Sequence, residues 1–219
     1  IQIDTDRGYP FNCTYCAAPS LRNIYKEAGH RNYFRIKDTD KLFEEIKFLV
    51  KKYNIEFLWI SSETFMARKN DEFKIFAERY KNEIGLPFWT SNRLDTFTPE
   101  KTKLLAEMGC KAISLGVEHG SEYFRNKILN KKLKNDTVIK SIEYLSLYKD
   151  IVPSINNMIG VPDETRESIF ETIELNRRIN EILKDNKVFN SFIFVPFSGT
   201  KLREYCIENN YITENEDLT

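Results

Sequence analysis

Apolar positions along the chain fall into two alternating rhythms, short continuous runs and longer stretches at helical spacing. Ile1 and Ile3 alternate with Gln2 and Asp4 in a strand-like run that Gly8 and Pro10 break. Leu42, Ile46, Leu49 and Tyr53 return every three or four positions, and residues 55–60 are β-branched and aromatic enough for a buried strand. Phe73, Phe76 and Tyr80 mark the next helix face, Gly85 and Pro87 punctuate, and Phe88-Trp89-Thr90 reads as a third strand. Thr98-Pro99-Glu100 is a clear helix start, with an N-cap hydroxyl, proline in the first turn and a carboxylate at the positive end of the dipole. Gly109 closes that helix. Residues 112–117 give a fourth strand, and Val138, Ile142 and Leu145 the next helix face. The lysine pair Lys131-Lys132 before that helix reads as a solvated turn. Residues 152–161 form a fifth strand, Ile169, Ile173 and residues 175–179 a fifth helix, residues 188–197 a sixth strand and residues 202–207 a last helix. Residues 20–35 resist the pattern and read as a long loop over the first strand.

Six strand-helix units of roughly 35 residues imply a parallel sheet with right-handed crossovers and helices outside. Periodicity alone leaves a doubly wound sheet and a barrel equally open, although no glycine-rich dinucleotide fingerprint follows the first strand. At 219 residues, 41% hydrophobic and without a Gly/Ser/Pro-rich break, the chain reads as one domain. Basic and acidic residues balance at 33 each, so charge gives no argument for nucleic acid or an anionic membrane as partner. Four cysteines are too few for a disulfide scaffold; with no apolar run of membrane-spanning length and no signal peptide, a cytoplasmic protein is expected. A start without Met and an acidic end at residues 213–217 suggest a domain cut from something longer.

The stretch with the most chemistry is Arg7-Gly8-Tyr9-Pro10-Phe11-Asn12-Cys13-Thr14-Tyr15-Cys16, where two thiols three positions apart leave a broken strand. Such a pair suits a soft metal centre or plain loop thiols. A structural zinc takes four ligands, and Cys110 and Cys206 lack paired spacing, which leaves His30 and His119 to complete one. Polar residues also collect where the strands end. Ser61-Ser62-Glu63-Thr64-Phe65 is either a ligand-facing cluster or a helix cap, and Arg93 either meets a ligand carboxylate or pairs with Asp95 or Glu63. Glu118, in Gly116-Val117-Glu118-His119-Gly120, can accept hydrogen bonds from hydroxyls, and His119 reads as an orienting residue rather than a base.

This set resembles the radical S-adenosylmethionine (SAM) enzymes, whose cluster loop is C-x-x-x-C-x-x-C with an aromatic before the last Cys. Cys13 and Cys16 match the second and third cluster ligands and Tyr15 the aromatic, while Tyr9 stands where the first Cys belongs. Gly116 to Gly120 is similar to the family's G-x-E-x-G. The string from Ile159 to Thr165 and the segment Pro196-Phe197-Ser198-Gly199-Thr200 resemble the subgroup that carries a cobalamin-binding domain ahead of the barrel. The resemblance implies an α/β fold, a partial (β/α)6 TIM-type barrel of parallel strands. It implies a 4Fe-4S cluster on Cys13 and Cys16, and SAM held by Tyr15, Ser62, Glu63, Thr64, Arg93, Glu118, Ile159, Val195 and Phe197. The implied reaction is reductive cleavage of SAM to a 5′-deoxyadenosyl radical, with methyl transfer through cobalamin as the commonest outcome. A small-molecule or peptide substrate and an electron donor such as flavodoxin or ferredoxin would be the partners. Tyr9 supports the alternative, a SAM-binding or partner-binding barrel without a catalytic cluster. No catalytic acid, base or nucleophile is assigned.

Overall fold

The computed structural model describes residues 1–62 and 65–215. In chain order its elements are β1 (Gln2–Asp4), β2 (Asp6–Arg7), α1 (Ala18–Glu27), β3 (Arg35–Ile36), α2 (Thr39–Tyr53), β4 (Leu58–Ser61), α3 (Asn70–Glu83), β5 (Phe88–Asn92), α4 (Pro99–Glu107), β6 (Cys110–Glu118), α5 (Asn135–Ser146), β7 (Val152–Ile159), α6 (Arg166–Leu183), β8 (Val188–Ile193) and α7 (Lys201–Glu208). The sheet runs β1-β4-β5-β6-β7-β8, every neighbouring pair parallel, with β1 and β8 as its edges. It is a partial barrel with helices outside.

Alternation along each strand sorts the two faces. Leu58, Ile60, Phe88, Ile113, Leu115 and Ile155 point outward and pack against Leu42, Ile46, Phe73, Phe76, Tyr80, Leu105, Val138, Ile142 and Leu175 of the helices. This belt of aliphatic and aromatic side chains is the core. Thr98 caps α4 as its sequence predicts, accepting from the Lys101 amide at 3.1 Å, and Gly109 follows that helix with φ 93°.

Two expectations are corrected. Residues 18–27, mostly inside the segment expected to be a loop, form α1. Only its Ala18 and Pro19 are buried while Leu21 and Ile24 face solvent, so no apolar stripe marks it. Proline in the first turn starts the helix, and Arg22 holds it to the preceding loop through the carbonyls of Tyr9 at 3.3 Å and Pro10 at 3.0 Å. The second correction concerns Lys131, which is buried rather than solvated. Asn130 and Lys132 on either side take left-handed conformations, φ 48° and 57°, and the intervening side chain turns inward.

Candidate functional site

A cavity of about 630 Å³ opens at the carboxyl ends of β5 to β8, where Tyr9, Cys13, Tyr15 and Cys16 meet Arg93, Glu118, Lys131, Met158, Val195 and Phe197. Barrels of this kind carry their chemistry at that end because the strands' following loops converge there.

The cysteine loop is tied down from two sides. The Thr14 amide donates to Leu129 O at 3.1 Å, the Thr14 hydroxyl to Ile128 O at 2.6 Å, and Asn130 Nδ2 to Asn12 O at 2.7 Å. From the C-terminal side the Leu202 amide donates to Thr14 O at 3.0 Å. Cys13 is buried and Cys16 half-buried, its Sγ accepting from the Ala18 amide at 3.4 Å. Arg93 braces the loop from below. It forms a two-pronged pair with Asp95 at 2.9 and 2.8 Å, donates to Lys131 O at 2.7 Å, and lies 3.8 Å over the Phe11 ring. Its remaining N–H groups reach Tyr9 Oη at 3.3 Å and Cys13 Sγ at 3.7 Å. Among the described residues, the carboxylate that Arg93 pairs with is Asp95.

Burial raises the Tyr9 phenol above its ordinary value despite the Arg93 charge, so Tyr9 is a neutral hydroxyl at physiological pH. The donors facing the cavity are then two thiols and a neutral phenol. Among the described residues no group of three or more His, Cys, Asp or Glu converges as a metal site. This donor set does not fit a cluster held by three thiolates, because a protonated phenol is a poor partner for iron.

The opposite wall is electrostatically prepared. Glu118 Oε1 accepts from Lys131 Nζ at 2.8 Å and from the Tyr15 hydroxyl at 3.1 Å. Glycine at 116 makes room for this, since a Cβ there would lie 2.1 Å from Glu118 Oε1 and 3.0 Å from Lys131 Nζ. Glu118 itself has φ 70°, a conformation costly for a side chain and retained here where the chain turns out of β6. Tyr15 is pushed well up by burial and by the Glu118 charge, so it serves as a donor. With Lys131 Nζ also donating to Tyr15 Oη at 3.4 Å, the arrangement leaves Glu118 Oε2 for a ligand hydroxyl and one Lys131 proton for a ligand carboxylate.

Lys131 is the functional residue that sequence reasoning passed over. A signal was present: Leu129, Lys131 and Leu133 alternate with Asn130 and Lys132, and both leucines are buried. Of the residues expected to hold a cofactor, Tyr15, Arg93, Glu118, Val195 and Phe197 come together around the cavity with Cys13 and Cys16. Ser62 does not line it; its hydroxyl donates to buried Asp6 Oδ2 at 2.7 Å. Ile159 also lies off the cavity, with its carbonyl accepting from the Phe194 amide at 2.8 Å. Glu63 and Thr64 fall outside the described residues.

His119 is fully buried and structural. Its Nδ1 accepts from the Ser121 amide at 3.0 Å, which places the ring proton on Nε2, donated to Glu164 Oε1 at 3.0 Å. Glu164 Oε2 in turn accepts from the Gly160 amide at 2.7 Å, joining the ends of β6 and β7. Gly120 lets α6 approach, because a Cβ there would sit 2.3 Å from Thr172 Cα. Burial lowers the His119 pKa, with Glu164 opposing. The neutral ring contributes stability above its unfolded value of 6.5, and that contribution is lost as pH falls from there through the lower folded value. Between about pH 7 and pH 5 the urea midpoint should therefore drop less steeply in His119→Gln than in the unmutated protein. Parallel slopes would mean that His119 carries no linked proton.

The Radical SAM superfamily pattern matches residues 7–175. An uncharacterized methyltransferase of Pyrococcus horikoshii is 29% identical over 96% of this chain and 42% of its own length. A tRNA-2-methylthio-N(6)-dimethylallyladenosine synthase of Thermosipho melanesiensis is 35% identical over 90% of this chain and 44% of its own. Among solved structures, the radical S-adenosylmethionine methyltransferase TsrM from Kitasatospora setae, with cobalamin and a [4Fe-4S] cluster bound, superposes with a TM-score of 0.77 at 15% identity. That match covers 95% of this chain and 39% of TsrM. The chain thus spans less than half the length of these relatives.

Proposed function

Because this chain belongs to the Radical SAM superfamily, we propose that its cavity binds SAM and that the chain is the SAM-binding barrel of a radical SAM enzyme. One observation carries the reading: the cavity joins a paired acid and base, Glu118 and Lys131, to the apolar side chains Met158, Val195 and Phe197. SAM has a carboxylate, ribose hydroxyls and an adenine ring, and these groups need a cation, an acceptor and an apolar slot. Lys131 would take the carboxylate, Glu118 the ribose hydroxyls, and Val195 and Phe197 the adenine face. Ser62, Glu63, Thr64 and Ile159 belong to the same proposal through the family resemblance alone.

Bound SAM supplies the adenosyl group from which enzymes of this family make a radical by reductive cleavage at an iron-sulfur cluster. The side chains described here bind and orient; they exchange no proton in that event. Since the donor set with Tyr9 does not fit such a cluster, a second reading stands beside the first, a barrel that holds SAM without cleaving it. For the longer protein, methyl transfer with cobalamin from a preceding domain, driven by a flavodoxin or ferredoxin, is the activity that its likeness to methyltransferases supports.

Titration calorimetry with S-adenosylhomocysteine tests the shared premise of both readings. Binding should weaken about tenfold or more in Glu118→Gln, the loss expected for a hydrogen bond to a charged acceptor. Equal affinity in the variant would remove Glu118 from the site.

A further inference from the structure

A second cavity, of about 540 Å³, shares Ile193, Phe194 and Val195 with the SAM cavity but none of its polar residues. The end of β8 forms one side, the loop after β7 another, and Cys206, Tyr211 and Ile212 close it. Its floor is an apolar cluster apart from the main core, in which Val161, Phe194 and Cys206 are buried beside Leu129 and Leu202. The volume suits a small organic ligand rather than a single water.

Charge at this cavity has one sign. Asp163 and Glu164 line it, and its described lining residues include no lysine, arginine or histidine. Both oxygens of Glu164 are taken, by the neutral His119 ring and by the Gly160 amide. Asp163 is exposed at the lip, and the partners of its carboxylate are also neutral: the Tyr211 hydroxyl donates to Oδ1 at 2.6 Å and the Tyr205 hydroxyl to Oδ2. The Asp163 amide donates to Tyr211 Oη at 3.2 Å, which turns that hydroxyl's proton toward the carboxylate. Asp163 itself has φ 62°, a conformation in which a side chain is costly and glycine is not. A link between this loop and α7 needs only an acceptor here, so the carboxylate adds a charge that two hydroxyls leave unneutralised.

We propose that this cavity binds an amine with an apolar body, the ammonium at Asp163 and the hydrocarbon over Val161, Phe194 and Ile212. Each Asp163 oxygen keeps an acceptor site beyond the one its tyrosine uses, and an ammonium brings three donors. A surface carboxylate pulls on a cation only modestly, so burial of the apolar body supplies most of the affinity and the charge decides which ligand is chosen. An anion of the same shape meets two carboxylates and no counter-charge, and is rejected. The site is independent of whether SAM occupies the mouth.

Phenethylamine, 2-phenylethanol and phenylacetate share a ring and differ in charge, and saturation-transfer NMR on the 219-residue chain ranks their binding. The amine should bind about fivefold more tightly than the alcohol, the gain expected of one exposed ion pair near the top of its range, and the acid most weakly. Asp163→Asn keeps an acceptor and a donor for the two tyrosines and should bring the amine down to the alcohol's affinity. Unchanged binding of the alcohol in that variant shows that the cavity is still formed. Ile212→Ala should weaken amine and alcohol alike. A tripeptide beginning with phenylalanine tells a peptide amino terminus from a free amine, and binding of either with this dependence on Asp163 supports the site. Saturating S-adenosylhomocysteine should leave the amine in place. The proposal is overturned if the three ring compounds bind equally, if Asp163→Asn binds the amine normally, if S-adenosylhomocysteine displaces it, or if neither amine nor tripeptide binds at about 10 mM, a concentration that suits ligands of this size.

Discussion

Replacing Tyr9 by Cys should raise iron and sulfide after anaerobic reconstitution toward about four of each per chain, the content of a cubane cluster. The unmutated chain should hold well under half of that. The reason lies in donor chemistry and space together. Tyr9 is buried against Phe11, with ring centroids 5.0 Å apart, and its neutral hydroxyl accepts from Arg93. A thiol at the same position is smaller, ionises about 1.5 pH units lower in its ordinary state, and is soft. With Cys13 and Cys16 already held by the Thr14, Asn130 and Arg22 hydrogen bonds, the third thiolate meets a loop that needs little ordering. Tyr9→Ser separates the two causes, since it frees the space without adding a thiolate and should stay poor in iron. Electron paramagnetic resonance of the reduced Tyr9→Cys protein should show a cluster signal, and chromatography should detect 5′-deoxyadenosine only in that variant. A full cluster in the unmutated chain, with 5′-deoxyadenosine formed at a comparable rate, would show that Tyr9 does not disable the site.

How much of this was legible in the sequence depended on whether a residue's environment is set locally. The outward strand faces and the helices over them could be read because burial against an apolar layer imposes its own period, as at Phe73, Phe76 and Tyr80. Where burial is one-sided the reading slipped. The run at residues 55–60 begins as a strand only at Leu58, since Ile55 and Phe57 precede pairing with β5, and Ile173 of α6 faces solvent although it keeps the helical period. The strand-end residues Glu118, Val195 and Phe197 were legible as a set because a barrel collects carboxyl ends. The pairing of Arg93 with Asp95 was not, because sequence alone does not rank Asp95 above other carboxylates and the pair forms only through the folded turn. Nor was Lys131, whose inward course depends on a side chain six residues earlier.

That side chain is Arg125, and Arg125→Met should lower stability by about 3 kcal/mol, among the larger effects expected of a single substitution. Arg125 is fully buried in a π turn at Phe124–Ile128, yet among the described residues no carboxylate pairs with it. It donates instead to Leu133 O and His119 O, each at 2.7 Å, and to Asn135 Oδ1. Burial brings its pKa down to about 10, which still leaves it charged at neutral pH. Methionine fills similar length but donates nothing, so two buried carbonyls lose their partners. The loop between them carries Lys131, whose amide donates to Arg125 O at 2.8 Å, and it supplies the Ile128, Leu129 and Asn130 contacts that hold the cysteine loop. Loss of the clamp should therefore weaken S-adenosylhomocysteine binding at least tenfold, because the cation and the loop would both lose their fixed positions. Urea unfolding and calorimetry on the same sample measure the two effects. An unchanged urea midpoint would mean that the loop is held without Arg125, and full affinity in a destabilised protein would mean that Lys131 reaches its place independently of the clamp.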